Sequence, residues 1–211
     1  MDPKISKWIN WIELIKEDLS EPVMARELFW QMTGTLDSVH ESYNQELLQH
    51  YLSSSYRSHV LLGIRRQLKS KPGKISLLGI LEDIQENVEL ITFDMYRSLY
   101  PFDFDRSKLE LQFAEYSRGE NNFISINKVN DDINLIKKLF ITCEAFTDKR
   151  IAHFDKKKGV VPPTIRDIED CLETVKITCN KYYFLLKAQH AEYLPDYRKP
   201  DLKAIFPEVN L

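Results

Sequence analysis

The chain has 211 residues, of which 43% are apolar, and its formal net charge is −3. This length and composition are enough for one compact domain with its own hydrophobic core. No apolar run approaches the roughly 20 residues that a membrane span needs, and the slightly negative net charge excludes a globally basic surface for nucleic acid. Charges interrupt the N-terminal segment throughout, unlike a secretion signal, and the three cysteines show no CxxC spacing. We therefore expect a cytoplasmic protein without structural disulfides.

The first 70 residues have the spacing of amphipathic helices. Ser20, Glu21 and Pro22 are typical of a helix start, so we expect one helix to end before them and a second to begin there. The pair Pro72 and Gly73 predicts the end of this helical region. Three apolar stripes are expected to face the core: Ile5, Trp8, Ile9, Ile12, Ile15 and Leu19; then Leu28, Met32, Leu36, Val39, Tyr43 and Leu47; then Tyr56, Val60, Ile64 and Leu68.

The rest of the chain alternates regular and irregular segments. Ser76 is positioned to cap a helix over 77–91, and Thr164 to cap the last long helix. Between them, 93–123 mixes aromatic and acidic residues without a clear period, with a short helix near 109–116. Two long stripes follow: Ile126, Val129, Ile133, Ile136, Phe140 and Cys143; and Ile165, Ile168, Leu172, Val175, Cys179, Tyr182 and Leu186.

Such long stripes of three- and four-residue steps are typical of antiparallel helices that pack at a shallow angle. We therefore predict an all-α antiparallel bundle, with a single helical domain over 1–194 and an irregular insertion at about 93–124. The proline-containing segment 195–211 is expected to leave the bundle as a C-terminal tail.

One segment is locally basic. No acidic residue lies between Glu46 and Glu82, so this stretch carries +6 and the rest of the chain −9. A basic region on an acidic body can bind phosphate, or it can simply solvate a helix face. Both interpretations are open for its six cations, Arg57, Arg65, Arg66, Lys69, Lys71 and Lys74.

A second charged segment, "DKRIAHFDKKK" over 148–158, follows the 126–143 stripe, whose spacing extends to Thr147 and Arg150. A cation on an apolar face is costly to bury alone, so Arg150 should lie at a helix end, in a cleft or at a subunit interface. Arg150 and His153 can share one helix surface, and Lys149 lies one turn from His153. Because cations are favoured at helix C-termini in any case, the segment is either a charged helix end or a phosphate site.

Cleaving an RNA phosphodiester without a metal requires a proton-transfer group and a fixed cation. His153 suits the first role, since the unperturbed pKa of histidine is ~6.5, and the fork of Arg150 suits the second. Asp155 could orient His153 or could be a solvated carboxylate. Glycine-rich phosphate loops and the motifs HExxH, CxxC and GxSxG are all missing from the sequence, so we expect no metal and no cofactor.

Two segments carry a family resemblance. "DKRIAHFD" ahead of a capped final helix resembles the HEPN superfamily (higher eukaryotes and prokaryotes nucleotide-binding), most of all its AbiU-like abortive-infection branch. "IRRQLKSKPGKISLLGILEDI", over 64–84, is similar to that branch's Arg-Arg motif and the helix start after it. The resemblance implies a dimerising helical bundle with an R-x4-6-H motif at its dimer interface. It also implies a metal-independent endoribonuclease of anti-phage defence or toxin–antitoxin systems.

In this chain His153 would be the motif histidine, but Thr147 stands where the resemblance places the motif arginine. A threonine can form a hydrogen bond but cannot carry the counter-charge of a phosphate. Either other cations replace the arginine, or the chain has kept the fold and lost the reaction. The candidates for contact with RNA phosphate are Arg150, Lys149, Arg65 and Arg66.

The resulting expectation is a ribonuclease with His153 as general acid or base and Arg150 as the phosphate cation. The alternative is a non-catalytic helical module that binds RNA, a nucleotide or a protein. The expected partners are RNA, a second copy of the chain in a homodimer, and an antitoxin or regulatory protein, with no membrane.

Overall fold

A computed structural model describes residues 2–37, 43–69, 73–117, 122–152 and 161–193. Within these ranges the protein is all α, which confirms the predicted class, and Thr92 and Phe123 form only an isolated bridge. The predicted tail, 195–211, lies outside the described residues. The helices are α1 (Pro3–Asp37), α2 (Tyr43–Leu68), α3 (Leu77–Gln85), α4 (Phe93–Arg97), α5 (Arg106–Ala114), α6 (Ile126–Phe146) and α7 (Ile165–Lys187), with a 3-10 turn at Val88–Leu90 and a π-helical segment at Thr147–Ala152.

The four long helices α1, α2, α6 and α7 form the bundle. Polar contacts between them show which helices run antiparallel. Near the start of α1, Glu13 accepts a hydrogen bond of 2.8 Å from the hydroxyl of Tyr183, near the end of α7. Further along α1, Arg26 contacts Glu173 at 2.9 Å, so α1 and α7 are antiparallel. Tyr182 likewise donates to Asp132, near the start of α6, at 2.8 Å, so α6 and α7 are antiparallel too.

Most of the predicted apolar stripes are confirmed as the core of this bundle. Ile126, at the first position of α6, is the exception on that helix, with 46% of its surface exposed. The buried members of the predicted stripes are Ile5, Trp8, Ile12, Ile15 and Leu19 on α1; Tyr56, Val60, Ile64 and Leu68 on α2; Val129, Ile133, Ile136, Phe140 and Cys143 on α6; and Ile168, Leu172, Val175, Cys179, Tyr182 and Leu186 on α7.

The predicted helix break at Ser20–Pro22 is wrong, because α1 continues through Pro22. Ser20 donates its hydroxyl to the carbonyl of Lys16 at 3.1 Å instead of capping a new helix. Pro22 is buried against Gly63 of α2, where an added Cβ would lie only 3.1 Å from the proline Cγ. A proline inside a helix loses one backbone hydrogen bond, and here its ring packs closely against a glycine of the neighbouring helix.

Because α1 is continuous, its buried face also continues in phase from the first stripe. Val23 and Phe29 are buried, whereas Leu28 and Met32 are only partly buried. At the start of α2, Leu47 is 62% exposed. The predicted second stripe is therefore wrong as a core face, and its position 39 lies outside the described residues.

The region after α2 is more ordered than predicted. Ser76 caps α3 as expected, accepting a 3.1 Å hydrogen bond from the amide of Gly79, but α3 ends at Gln85 rather than near 91. The irregular insertion contains two short helices, α4 and α5, where one was predicted. Their aromatic side chains pack together, with the rings of Tyr96 and Phe113 5.5 Å apart, so the insertion adds to the core.

Candidate functional site

The charged segment 148–158 begins where α6 changes its helical form. After Phe146 the backbone continues as a π-helix over Thr147–Ala152. Short π-helical stretches are rare in proteins, and many of those that occur lie at functional sites. The change begins one residue before "DKRIAHFD", so the π-helical segment contains the candidates Thr147, Lys149 and Arg150.

Thr147 begins the π-helical segment and faces the core. Its side chain is fully buried, at 0% exposure, and its hydroxyl donates to the carbonyl of Cys143 at 2.7 Å. Burial follows from the 126–143 spacing, which places position 147 on the apolar face. The hydroxyl already has its partner, so Thr147 does not supply a group for an external phosphate.

Two cations of the basic segment contact the end of α6 and the start of the π-helical segment. Arg65 lies on α2, and Lys69 follows directly after the end of α2. Arg65 forms a salt bridge with Asp148, and Lys69 forms one with Glu144 and lies 3.4 Å from Asp148. Partial burial pushes the pKa of Asp148 upward, but the hydrogen bond and charge of Arg65, with help from Lys69, outweigh it. The pKa of Asp148 is therefore lowered, and the carboxylate neutralises cations that the sequence presented as a possible phosphate site.

Arg66 follows Arg65 in sequence but contacts a different helix. Its Nε lies 3.1 and 3.2 Å from the two carboxylate oxygens of Asp18 on α1. Gln67 also donates to Asp18, at 2.6 Å. Consecutive residues point about 100° apart on an α-helix, which explains the division. The structure therefore brings Arg65 to the π-helical segment and directs Arg66 to α1.

Lys149 and Arg150 are the cations of this segment that have no carboxylate partner in the described part of the chain. Lys149 is exposed, whereas Arg150 is half-buried. The other two candidates, His153 and Asp155, lie outside the described residues. The arrangement thus combines two neutralised cations with two that can still contact an anion. We call Arg65, Lys69, Glu144, Asp148, Lys149 and Arg150 the charged cluster.

Sequence reasoning missed a second candidate site, an apolar cavity of about 300 Å³ between α1 and α2. The rings of Phe29 and Tyr56 are stacked 4.3 Å apart there, and Tyr56 donates its hydroxyl to Glu169. Burial is the main reason why the pKa of Tyr56 is raised. The sequence signal for this cavity is a set of apolar residues next to the buried face of α1, namely Met24, Ala25, Leu28 and Met32. The lining consists of Glu21, Met24, Ala25, Leu28, Phe29, Met32, Leu52, Ser55, Tyr56 and His59.

Comparisons with protein-family models, with curated proteins and with solved structures each found no match. Among the helices in the described ranges, none is long and apolar enough to cross a membrane. No group of three His, Cys, Asp or Glu side chains in those ranges could hold a metal ion. The fold and the site together define an all-α helical bundle with a charged π-helical segment at the end of one long helix.

Proposed function

We propose that the protein is a HEPN-type, AbiU-like ribonuclease of anti-phage defence that binds RNA at the π-helical segment and cleaves it without a metal ion. The observation that carries this proposal is the state of Arg150. This arginine is half-buried, and in the described part of the chain it has no carboxylate partner. A partly buried guanidinium that no carboxylate of the described residues neutralises favours an external anion, and its planar fork suits phosphate oxygens.

In the proposed reaction, Arg150 holds a non-bridging oxygen of the scissile phosphate and stabilises the charge that builds up as the 2′-hydroxyl attacks phosphorus. His153 takes the proton of that hydroxyl or protonates the leaving oxygen. Asp155 orients His153, and Lys149 contacts a neighbouring phosphate. The roles of His153 and Asp155 rest on their spacing in the sequence.

The proposed enzyme is a homodimer, because one Arg/His pair makes a small site and two copies would supply both an acid and a base. Exposed apolar residues flank the π-helical segment along the chain: Ile141 is 67% exposed and Val161 80% exposed. Light scattering should give twice the chain mass for the native protein and the monomer mass for Ile141→Glu. A native protein that is monomeric at micromolar concentration would argue against this arrangement.

The test of catalysis is a cleavage assay on a mixed RNA pool with EDTA present. The native protein should cut RNA, and His153→Ala and Arg150→Ala should each abolish cutting. His50→Ala is the matched control, because His50 is an exposed histidine about four turns before Arg65 on α2, and it should cut like the native protein. Absence of cleavage by the native protein would refute the catalytic proposal.

One observation favours a second candidate function, a non-catalytic module that binds RNA, a nucleotide, or a protein such as an antitoxin or regulator. Thr147, at the motif arginine's position, is buried with its hydroxyl already bonded. A module of this kind would bind its partner in the same assay without cutting RNA, and Arg150→Ala would leave most of the binding intact.

A further inference from the structure

The last turn of α6 places Cys143 opposite Cys171 of α7. The hydrogen bond between Tyr182 and Asp132 shows the register in which these antiparallel helices pack. Cys143 lies eleven residues after Asp132, and Cys171 lies eleven residues before Tyr182. Eleven residues make about three helical turns, so the two cysteines occupy facing positions as Asp132 and Tyr182 do.

Both thiols are free and buried in the core, with exposures of 0% for Cys143 and 1% for Cys171. The neighbouring Cys171 thiol lowers the pKa of Cys143, and the Cys143 thiol together with burial raises the pKa of Cys171. The thiolate is the reactive form of cysteine. Cys143, whose pKa is lowered, therefore supplies the sulfur that attacks the oxidant. Cys179, on the same helix as Cys171, is equally buried but lies about two turns further along α7.

We propose that Cys143 and Cys171 are a redox-active pair that forms an intramolecular disulfide when hydrogen peroxide reaches them. This inference is independent of the proposed ribonuclease activity. Its consequence is local: Thr147 donates its hydroxyl to the carbonyl of Cys143, so the cross-link would tie the turn that precedes the π-helical segment to α7.

The chemistry balances with one peroxide molecule per chain. The Cys143 thiolate attacks one peroxide oxygen, the O–O bond breaks, and the leaving hydroxide takes up the thiol proton to form water. Cys143 is then a sulfenic acid. The sulfur of Cys171 attacks the Cys143 sulfur, the S–O bond breaks, and a second water leaves with the Cys171 proton. The two sulfurs give up two electrons in total, and the peroxide is reduced to two waters.

The test uses the reduced full-length protein, treated with hydrogen peroxide and then unfolded and alkylated before non-reducing peptide mapping by mass spectrometry. We expect a linked peptide that contains Cys143 and Cys171, a fall in alkylated cysteines from three to one, and full recovery with dithiothreitol. Three alkylated thiols after treatment would overturn the proposal. So would sulfinic acid without a link, or a disulfide that uses Cys179 or joins two chains.

Serine variants give the matched controls. Cys179→Ser removes an equally buried thiol of α7 and should keep the disulfide, whereas Cys171→Ser should lose it. If either variant fails to fold, the peptide map of the native protein decides the question alone, because it identifies which two sulfurs are joined.

Discussion

Asp148 is the anion that neutralises two cations beside the π-helical segment, so its replacement by asparagine tests the account of the charged cluster. Asp148→Asn removes the salt bridge with Arg65 and the 3.4 Å contact with Lys69, while it keeps the size of the side chain. The side chains of Asp148 and Arg65 are 34% and 27% exposed. Partly exposed ion pairs of this kind contribute about 0.2–1 kcal/mol each.

We therefore expect Asp148→Asn to lower the free energy of unfolding by about 1 kcal/mol. For a chain of this length such a loss lowers Tm by about 2–4 °C, which a thermal melt followed by circular dichroism measures. The substitution also raises the net charge of the charged cluster by one and releases Arg65. Single-stranded RNA should bind more tightly, and the slope of log K against log salt should steepen by about 0.7 for one additional phosphate contact.

The control is Glu82→Gln, which changes the net charge equally but breaks the exposed pair between Glu82 and Lys137, 3.1 Å apart on α3 and α6. This variant should leave the salt slope of RNA binding unchanged. Fluorescence anisotropy with a labelled oligonucleotide at several salt concentrations compares the two variants. Equal salt slopes for Asp148→Asn and Glu82→Gln would refute the reasoning, because Arg65 and Lys69 would then lie away from the RNA.

Three further predictions concern the core and the helix contacts, and urea denaturation tests each of them. Thr147→Arg should destabilise the protein by about 3 kcal/mol or more, because it places an unpaired charge at a fully buried position; stability equal to the native protein would contradict this burial. Hydrogen bonds from Lys187, Lys16 and Tyr183 outweigh the effect of burial and hold the pKa of Glu13 at about 2. The stabilisation by the Glu13 carboxylate should be complete above pH 5 and lost as the pH falls towards 2, so the native protein and Glu13→Gln should differ by about 1–2 kcal/mol at neutral pH and converge in acid. A difference that is constant with pH would contradict that pKa. Gly63→Ala should cost about 1 kcal/mol, because its Cβ would meet the ring of Pro22. In a Pro22→Ala background the same change should instead stabilise by about 0.5 kcal/mol, and an unchanged sign would show that the ring does not limit the space.

The sequence predicted best those helices whose buried face follows from the local spacing of their own apolar residues. The stripes of α6 and α7 repeat every three or four residues, and a helix packed on one side must bury that face. Pro22 shows the limit of this reasoning. Its residue type predicts a break, but the space that keeps α1 continuous comes from Gly63 on another helix.

The charged cluster shows a similar limit. The sequence identified Arg65 and Arg66 as cations, but it could not show that Asp148 and Asp18 neutralise them. These partners are distant in sequence, and only the tertiary fold determines which charges meet. The sequence also did not predict the π-helical segment, because the spacing argument assumes 3.6 residues per turn throughout a helix. The spacing did predict that position 147 faces the core, which explains why Thr147 has no contact to offer a phosphate.

The measurement that tests the central claim most directly is the salt dependence of RNA binding by Arg150→Ala. The variant should bind single-stranded RNA more weakly than the native protein, and its salt slope should be smaller in magnitude by about 0.7, the value of one phosphate contact. Arg106→Ala, which removes an exposed arginine from α5, should leave the slope unchanged. If Arg150→Ala and Arg106→Ala both bind like the native protein, Arg150 does not hold the phosphate and the proposed site is wrong.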